Sequence, residues 1–534
     1  MSAGYQAPKS FLDNHGKSSG AAAWILSTDH KRIGILYLCS MLTFFSVAVV
    51  IGLLMRIELI AAGKTIMEAK TYNAFFTVHG MIMIFLFIIP GIPAAFGNFI
   101  MPIQIGAKDV AFPRLNLLSW WLYISGGLIA VLSLFTGGGA PDTGWTFYAP
   151  YSIRTGTNVS LAVFAAFVLG FSSILTGLNF VTTIHRMRAP GMTWFRMPLF
   201  PWSLYATGWV QIVATPVLAI TLLLLIFERS FGVGFFDPAK GGDPILFEHL
   251  FWIYSHPAVY IMILPAMGVI SEIVPVFARK GIFGYKAIVL SSLSIAGVGY
   301  LVWGHHMFTS GMSDTSRWIF SLLTFIVAVP SGVKVFNWVS SLYKGSIDVR
   351  PPFLYVMAFI FLFSIGGLTG LINGALSTNI HIHGTYFIVG HFHYVMFGGT
   401  GIAFFGALHF WFPKMFGRMY SEKIARVAVA LLFIGLNTLY FPMLVLGWQG
   451  MPRRYYDYLP QFQPLNVIST IGSWIVAAAL IIMFTNLIRS LFKGEKAAGN
   501  PWDGTTLEWT VSSPPPHENF EEGPVITHGP YQRT

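Results

Sequence analysis

This sequence predicts an all-α, polytopic membrane protein of twelve transmembrane helices, on three observations. Of its 534 residues, 55% are hydrophobic and only 10% are charged, whereas a water-soluble domain carries about 25% charged residues. Apolar stretches long enough to span a bilayer, about 20 residues each, recur along the whole chain. The basic residues gather in the loops between them, and mostly in alternate loops. The net charge of +11 therefore reads as membrane topology and not as a nucleic-acid surface. The single cysteine, Cys39, excludes an internal disulfide and any site that needs two thiolates from this chain.

The elements follow in order. Residues 1–22 are polar, without the basic start, short apolar run and cleavage site of a secretory signal; they are expected to form an N-terminal cytoplasmic tail. A twelve-helix domain is expected over 23–494. Its apolar runs lie at 33–55, 74–104, 118–136, 158–183, 206–227, 246–275, 286–309, 318–343, 353–373, 384–410, 426–448 and 468–488. Each suits a helix, which satisfies its own backbone where water is absent. The remainder, 495–534, is polar with a proline run at Pro514, Pro515 and Pro516, and is expected to be an extended cytoplasmic tail. An even number of spans puts both termini on one side. Twenty-two of the 32 Lys and Arg then fall on that side, which makes it the cytoplasm; the expected location is a bacterial inner membrane.

Six of the 15 histidines lie well inside spans, where ionisable residues point to function. They are His79, His256, His305, His306, His391 and His393. All fall at one depth, about 7–15 Å from the outer end of their spans at 1.5 Å per residue. One such histidine is more often a hydrogen-bonded core residue; six on four helices are a site. His391 and His393, two apart, point about 200° from each other on a helix, so they serve two metals on opposite faces. His305 and His306 are adjacent and suit one ion together with a third imidazole. Imidazole is a common ligand of copper and of haem iron. Spacing alone leaves open which histidine binds which metal.

The neighbouring residues add a resemblance. HPAVY (256–260), WGHHMF (303–308), HGTYFIVGHFHY (383–394) and GMPRRY (450–455) resemble subunit I of the A-type haem–copper oxygen reductases, the cytochrome c oxidase branch. So do STDHKRIG (27–34), YNAFFTVHG (72–80), GNFIMPIQIGAKDVAFPRLN (97–116) and PPPHENF (514–520). The resemblance implies that His79 and His393 hold a low-spin haem and His391 a high-spin haem, of types a and a3. It implies that His256, His305 and His306 bind the copper called CuB. Tyr260, one turn past His256, would be joined covalently to it and supply an electron and a proton to oxygen. Arg453 and Arg454 would meet haem propionates, Arg56 the formyl group of haem a, and Trp145 and Trp252 would lie near the haems.

Proton supply is implied in the same way. Asp109, Asn98, Asn116, Tyr37, Ser172, Ser173 and Asn179 match the family's D pathway. Lys334, inside span eight, matches the lysine of the K pathway, with Ser331 where a threonine is usual. Two departures stand out. Ala258 occupies the place of the glutamate that usually ends the D pathway, and Tyr254 and Ser255 match the subgroup in which a Tyr–Ser pair replaces it. Gly384 stands where an aspartate helps to bind magnesium, although His383 remains. Glu58 and Gly63 match a calcium or sodium site.

The resemblance implies a terminal oxidase that reduces O2 to water, takes protons from the cytoplasm and pumps others. Its expected partners are a subunit II carrying a dinuclear copper centre, a subunit III, cytochrome c and membrane lipid. A quinol oxidase is the alternative within the family. A nitric-oxide reductase shares the histidines, but Tyr260 and Lys334 argue against it. A twelve-helix secondary transporter fits the composition but leaves the six histidines unexplained.

Overall fold

Most long helices start where the sequence supplies a cap or a proline. In this computed structural model, which describes residues 10–13 and 19–533, α1 spans His30–Glu58, and the Asp29 carboxylate accepts from the amides of Lys31 (2.8 Å) and Arg32 (3.3 Å). The next helices are α2 Ala69–Gln104, α3 Pro113–Phe135, α4 Val159–Arg186, α5 Leu199–Phe231 and α6 Pro244–Phe277. After the shorter α7, Tyr285–Gly299, come α8 Asp314–Leu342, α9 Pro351–Gly374, α10 Tyr386–Phe416, α11 Glu422–Trp448 and α12 Pro460–Lys493. Proline opens α3, α6 and α9, where its missing N–H costs nothing. Asp243 caps α6 at Ile245 N (2.8 Å) and Thr385 caps α10 at Phe387 N (3.2 Å).

The expected twelve spans are thus eleven long helices and one short one. Residues 286–309 do not form a continuous span. α7 has 15 residues, about 22 Å, less than the ~30 Å hydrocarbon core. A turn and a short 3-10 segment, Trp303–Met307, complete the crossing. Gly299 sits at the break because the Tyr260 ring fills the space beside it; a Cβ there would lie 2.5 Å from the ring.

Neighbouring helices pack in sequence, α3 on α4, α4 on α5, α5 on α6 and α11 on α12. α6 and α10 run through the centre: 89% of the most apolar stretch of each is buried, against 11% for α8. α8 instead shows Trp318, Leu322, Val329 and Phe336 on its outer face, a lipid-facing ridge. Two helices are locally widened. α2 is π-helical over Ile82–Ile88 and Gly91–Gly97, and α10 over Met396–Gly401. The first segment of α2 begins three residues after His79 and that of α10 three after His393, and such bulges gather at functional sites.

Of the expected N-terminal tail 1–22, residues 1–9 and 14–18 lie outside the described residues. The C-terminal tail is irregular yet firmly docked on the bundle. Lys414 Nζ donates to the carbonyls of Gly499 (2.8 Å) and Val511 (2.6 Å). Trp502 Nε1 donates to Phe410 O (2.8 Å), and buried Tyr531 donates to Glu272 (2.7 Å). Asn519 meets Lys31 Nζ at 2.9 Å.

Candidate metal centre

Three imidazoles converge between α6 and the 3-10 segment. His256 lies on α6, beside Pro257, and His305 and His306 lie on Trp303–Met307. Their ligand atoms lie within 4.8 Å of one another, the only such three-residue group among the described residues. His256 Nδ1 and His306 Nε2 are 3.0 Å apart, near the ~3.3 Å between two ligand atoms on a tetrahedral ion with ~2.0 Å bonds. His305 Nδ1 bonds the Thr324 hydroxyl at 2.9 Å, and that hydroxyl donates to Phe320 O. The pattern puts the His305 proton on Nδ1 and leaves Nε2 to bind. His256 Nε2 is buried without a partner among the described residues, and the Tyr260 ring stands 4.7 Å from the His256 ring. A set of three imidazole nitrogens suits copper.

His391 and His393 diverge from α10 as their spacing requires. His391 Nδ1 meets Thr369 Oγ1 of α9 at 3.0 Å. His393 stacks on Tyr440 of α11 at 4.6 Å and bonds Val389 O through Nδ1 at 2.8 Å. His79 Nδ1 bonds Ala48 O of α1 at 2.9 Å. In all three, a carbonyl or hydroxyl holds Nδ1, so the Nε2 lone pair is free for iron. Small residues flank two of the rings: a Cβ at Gly52 would approach His79 to 3.1 Å, and one at Gly370 would approach His391 to 3.2 Å.

The arginines are underpaired. Arg56 is buried, and its Nη2 donates to Asn466 O (2.8 Å), while Nε and Nη1 have no partner among the described residues. Arg453 and Arg454 adjoin each other, and among the described residues neither pairs with a carboxylate. Burial and then Arg454 push Arg453 down to about 10. Trp252 stacks on His306 and donates to the Tyr148 hydroxyl (2.6 Å). Trp145 packs against Trp252 and Phe251, at 6.0 and 5.6 Å between rings.

The polar residues of the two expected pathways divide. Tyr37 donates to Ser119 (3.0 Å) and faces Ser172 (3.1 Å). Asn179 closes on the backbone of Phe112 with both amide atoms. Asn98 Oδ1 and both side-chain polar atoms of Asn116 are buried without partners. Asp109 lies in the loop before α3, and burial pushes its carboxyl up to about 7. Ser173 accepts from Gln211 (3.1 Å). Lys334 is 1% exposed and donates to Ser292 (2.6 Å), while Ser331 bonds its own helix at Val327 O. Tyr254 is buried beside Ala258, and the Ser255 hydroxyl has no partner.

The other expected ion residues hydrogen-bond within the protein. Both Glu58 oxygens accept from backbone amides, at Thr65 (3.1 Å), Ile66 (2.7 Å) and Met67 (2.9 Å). Gly63 N donates instead to Asp457 (2.7 Å). His383 pairs with Asn379 (3.0 Å), and burial, then Arg453, hold it down at about 4. Gly384 brings no carboxylate to it.

Sequence reasoning passed over Thr324, Thr369, Ser119 and Ser292, which hydrogen-bond His305, His391, Tyr37 and Lys334, and Gly52, Gly299 and Gly370, which make room for rings. The glycines carried a signal, since each costs about 1 kcal/mol in a helix against alanine. The hydroxyls carried none, because Ser and Thr in such helices ordinarily bond their own backbone.

Residues 32–475 match the family model described as Cytochrome C and Quinol oxidase polypeptide I. Cytochrome c oxidase subunit 1 of Synechocystis sp. is 48% identical over 526 residues, covering 98% of this chain and 95% of that one. The subunit 1 of Cereibacter sphaeroides is 40% identical over 545 residues, covering 96% of each. A solved heme-copper terminal oxidase dimer superposes with a TM-score of 0.73 at 21% identity, over 88% of this chain and 85% of that one; it bears on the fold alone. The chain belongs to the cytochrome c and quinol oxidase polypeptide I family. It is the catalytic subunit of a terminal oxidase, an oxidoreductase, and a multi-pass bacterial membrane protein.

Proposed function

We propose that this subunit reduces dioxygen to water at a haem–copper pair fed by a low-spin haem. The observation that carries the reading is the convergence of His256, His305 and His306 within 4.8 Å, beside a helix whose His391 and His393 face apart. When bound, the haems and copper supply electron transfer and dioxygen reduction. His256, His305 and His306 hold the copper, His391 the high-spin haem, His79 and His393 the low-spin haem. The low-spin haem is assigned type a, because the free Arg56 nitrogens suit a formyl oxygen, and the high-spin haem type a3 by the family resemblance alone. Arg453 and Arg454 suit propionate carboxylates.

Tyr260 stands against His256 and gives a proton to the site. Lys334 serves the route between Tyr260 and the cytoplasm, and Asp109 receives protons for the D pathway. That pathway runs by Asn98, Asn116 and Asn179 to Tyr37, Ser172 and Ser173, and ends at Tyr254 and Ser255 instead of a glutamate. The 1–22, 23–494 and 495–534 division stands as our reading, with both tails cytoplasmic. Electrons come from cytochrome c through a dinuclear copper centre on subunit II, since Cys39 alone cannot build one; subunit III completes the complex. Metal and haem analysis of the purified complex, with its absorption spectrum, tests the reading. Two haems and one copper assigned to this chain are expected. Absence of haem bands from intact complex would overturn it.

A further inference from the structure

α5 carries two polar residues that the D pathway, as read above, leaves unused. Gln211 and Thr215 are 2% and 0% exposed and lie one helical turn apart on one face. Gln211 Nε2 donates to Ser173 Oγ at 3.1 Å. Ser173 adjoins Ser172, which meets Tyr37 at 3.1 Å. Beyond this bond the line is open: Gln211 Oε1 and Thr215 Oγ1 are both buried without a partner among the described residues.

Thr215 departs from its neighbours. Thr207 and Thr221 on the same helix turn back onto Ser203 O (2.8 Å) and Val217 O (2.7 Å), as helical threonines in apolar surroundings do. Thr215 leaves its own backbone alone. A buried polar group without a partner costs ~1–3 kcal/mol, and polar residues at membrane depth are retained for function. Two such groups, one turn apart, are the kind of setting in which buried water is found in proteins. Packing accounts for the Thr215 methyl, which a Cβ at Gly170 of α4 would approach to 3.2 Å, but not for its hydroxyl.

Helix register says where the strip leads. Phe200 N of α5 meets Glu272 of α6 (2.8 Å), and Gly268 abuts Ser203. Moving twelve residues along each antiparallel helix from Ser203 and Gly268 brings Thr215 level with His256. At that level the Ser255 hydroxyl is likewise buried without a partner, and Tyr254 is buried with its hydroxyl in no hydrogen bond among the described residues.

We propose that Gln211 and Thr215 link Ser173 to the Tyr254–Ser255 corner of α6, carrying protons across the gap left where this chain has Ala258. The Thr215 hydroxyl relays a proton by accepting one and releasing its own. Gln211 is a positioning residue whose Oε1 orients the water between. The proposal rests on the D-pathway reading and extends it.

The test uses the assembled oxidase complex with Gln211→Leu, Thr215→Val, Thr215→Ser and, as a separate check of the pathway, Asp109→Asn. Proton uptake, its solvent isotope effect and the haem spectrum are measured together. Gln211→Leu and Thr215→Val should each slow uptake about tenfold, equivalent to ~1.4 kcal/mol on a barrier. The isotope effect should rise and the haem spectrum stay unchanged. Thr215→Ser, which keeps the hydroxyl, should recover the rate lost in Thr215→Val. Slow uptake in Asp109→Asn with parental uptake in the Gln211→Leu/Thr215→Val double variant would overturn the link and leave the pathway standing. Parental uptake in Asp109→Asn would remove the pathway and the link with it. A shifted haem spectrum without rescue by serine would mean that Thr215 only packs.

Discussion

The His306 imidazole lies flat on the Trp252 indole, with ring centroids 3.6 Å apart and planes 6° apart. Trp252 is itself tied by its Nε1 to the Tyr148 hydroxyl. His305 has Thr324 to orient it, and His256 sits on a rigid buried helix. The indole therefore does for His306 what a hydrogen bond does for His305. Trp252→Leu should weaken copper binding about 10–100-fold, the usual effect of losing an outer partner of a ligand. Copper retained per haem after a graded chelator challenge measures it. Retention equal to the parent would show that stacking does not position His306.

His305→Ala should remove copper and oxygen reduction while the low-spin haem spectrum persists. The reason is spatial: His79 is held by α1 at Ala48 O and His393 by α10 at Val389 O, and neither touches the three-histidine group. Loss of both haem signals from folded complex would contradict this division of ligands.

The divergence of His391 and His393 was legible in the sequence because helical spacing is a fixed angle. His391 and His393 do face α9 and α11. The adjacency of His305 and His306 was legible too, but not its geometry. The span 286–309 looked continuous by composition, whereas α7 stops at Gly299 and both histidines ride on a 3-10 segment. Tertiary packing of Tyr260 against Gly299 decides that break, and hydropathy does not register it. The docked tail was also hidden: Lys31 and Lys414 read as loop charge, yet both are buried at 0% exposure, held by tail carbonyls 80 or more residues away in the chain.

Asp109 offers a pH test with a definite sign. Its carboxyl titrates at 3.8 when unfolded and is raised to about 7 by burial, with Asp29 adding to the rise and Lys31 and His517 opposing it. Below the lower value the group is protonated in both states. Between the two values the folded chain keeps a proton that the unfolded chain has lost, so stability falls as pH rises through that window and levels off above it. Asp109→Asn has no such proton. Its thermal midpoint should gain on the parent's from about pH 4 to about pH 7. A constant difference between the two midpoints would exclude a raised Asp109.

Lys334→Met keeps the side chain's length and removes its donor to Ser292. Reduction of the high-spin site should slow by about tenfold or more, the lower end of a proton-transfer contribution being ~100-fold where transfer is fully lost. The fold should survive, since methionine packs where the buried lysine stem did. Stopped-flow reduction of the two haems separates the effects, because only the high-spin haem should lag. Equal reduction of both haems at the parental rate would remove Lys334 from the route.

Tyr254 and Ala258 give the last test. They are four apart on α6 and share a face, and both are buried at 2% exposure. A tyrosine is long enough to bring its hydroxyl to the space that a longer side chain at 258 would reach. That hydroxyl makes no hydrogen bond among the described residues, so it is free to join a relay. Tyr254→Phe deletes one oxygen and keeps the ring, so packing changes little, while Ala258→Gly removes only a methyl. Turnover and proton release in vesicles should therefore fall strongly in Tyr254→Phe and little in Ala258→Gly. Ser255→Ala separates the two hydroxyls: if Ser255 alone carried the protons, its loss would stop release and Tyr254→Phe would behave as the parent. A Tyr254→Phe complex that turns over and pumps normally would move the inner end of the D pathway away from Tyr254.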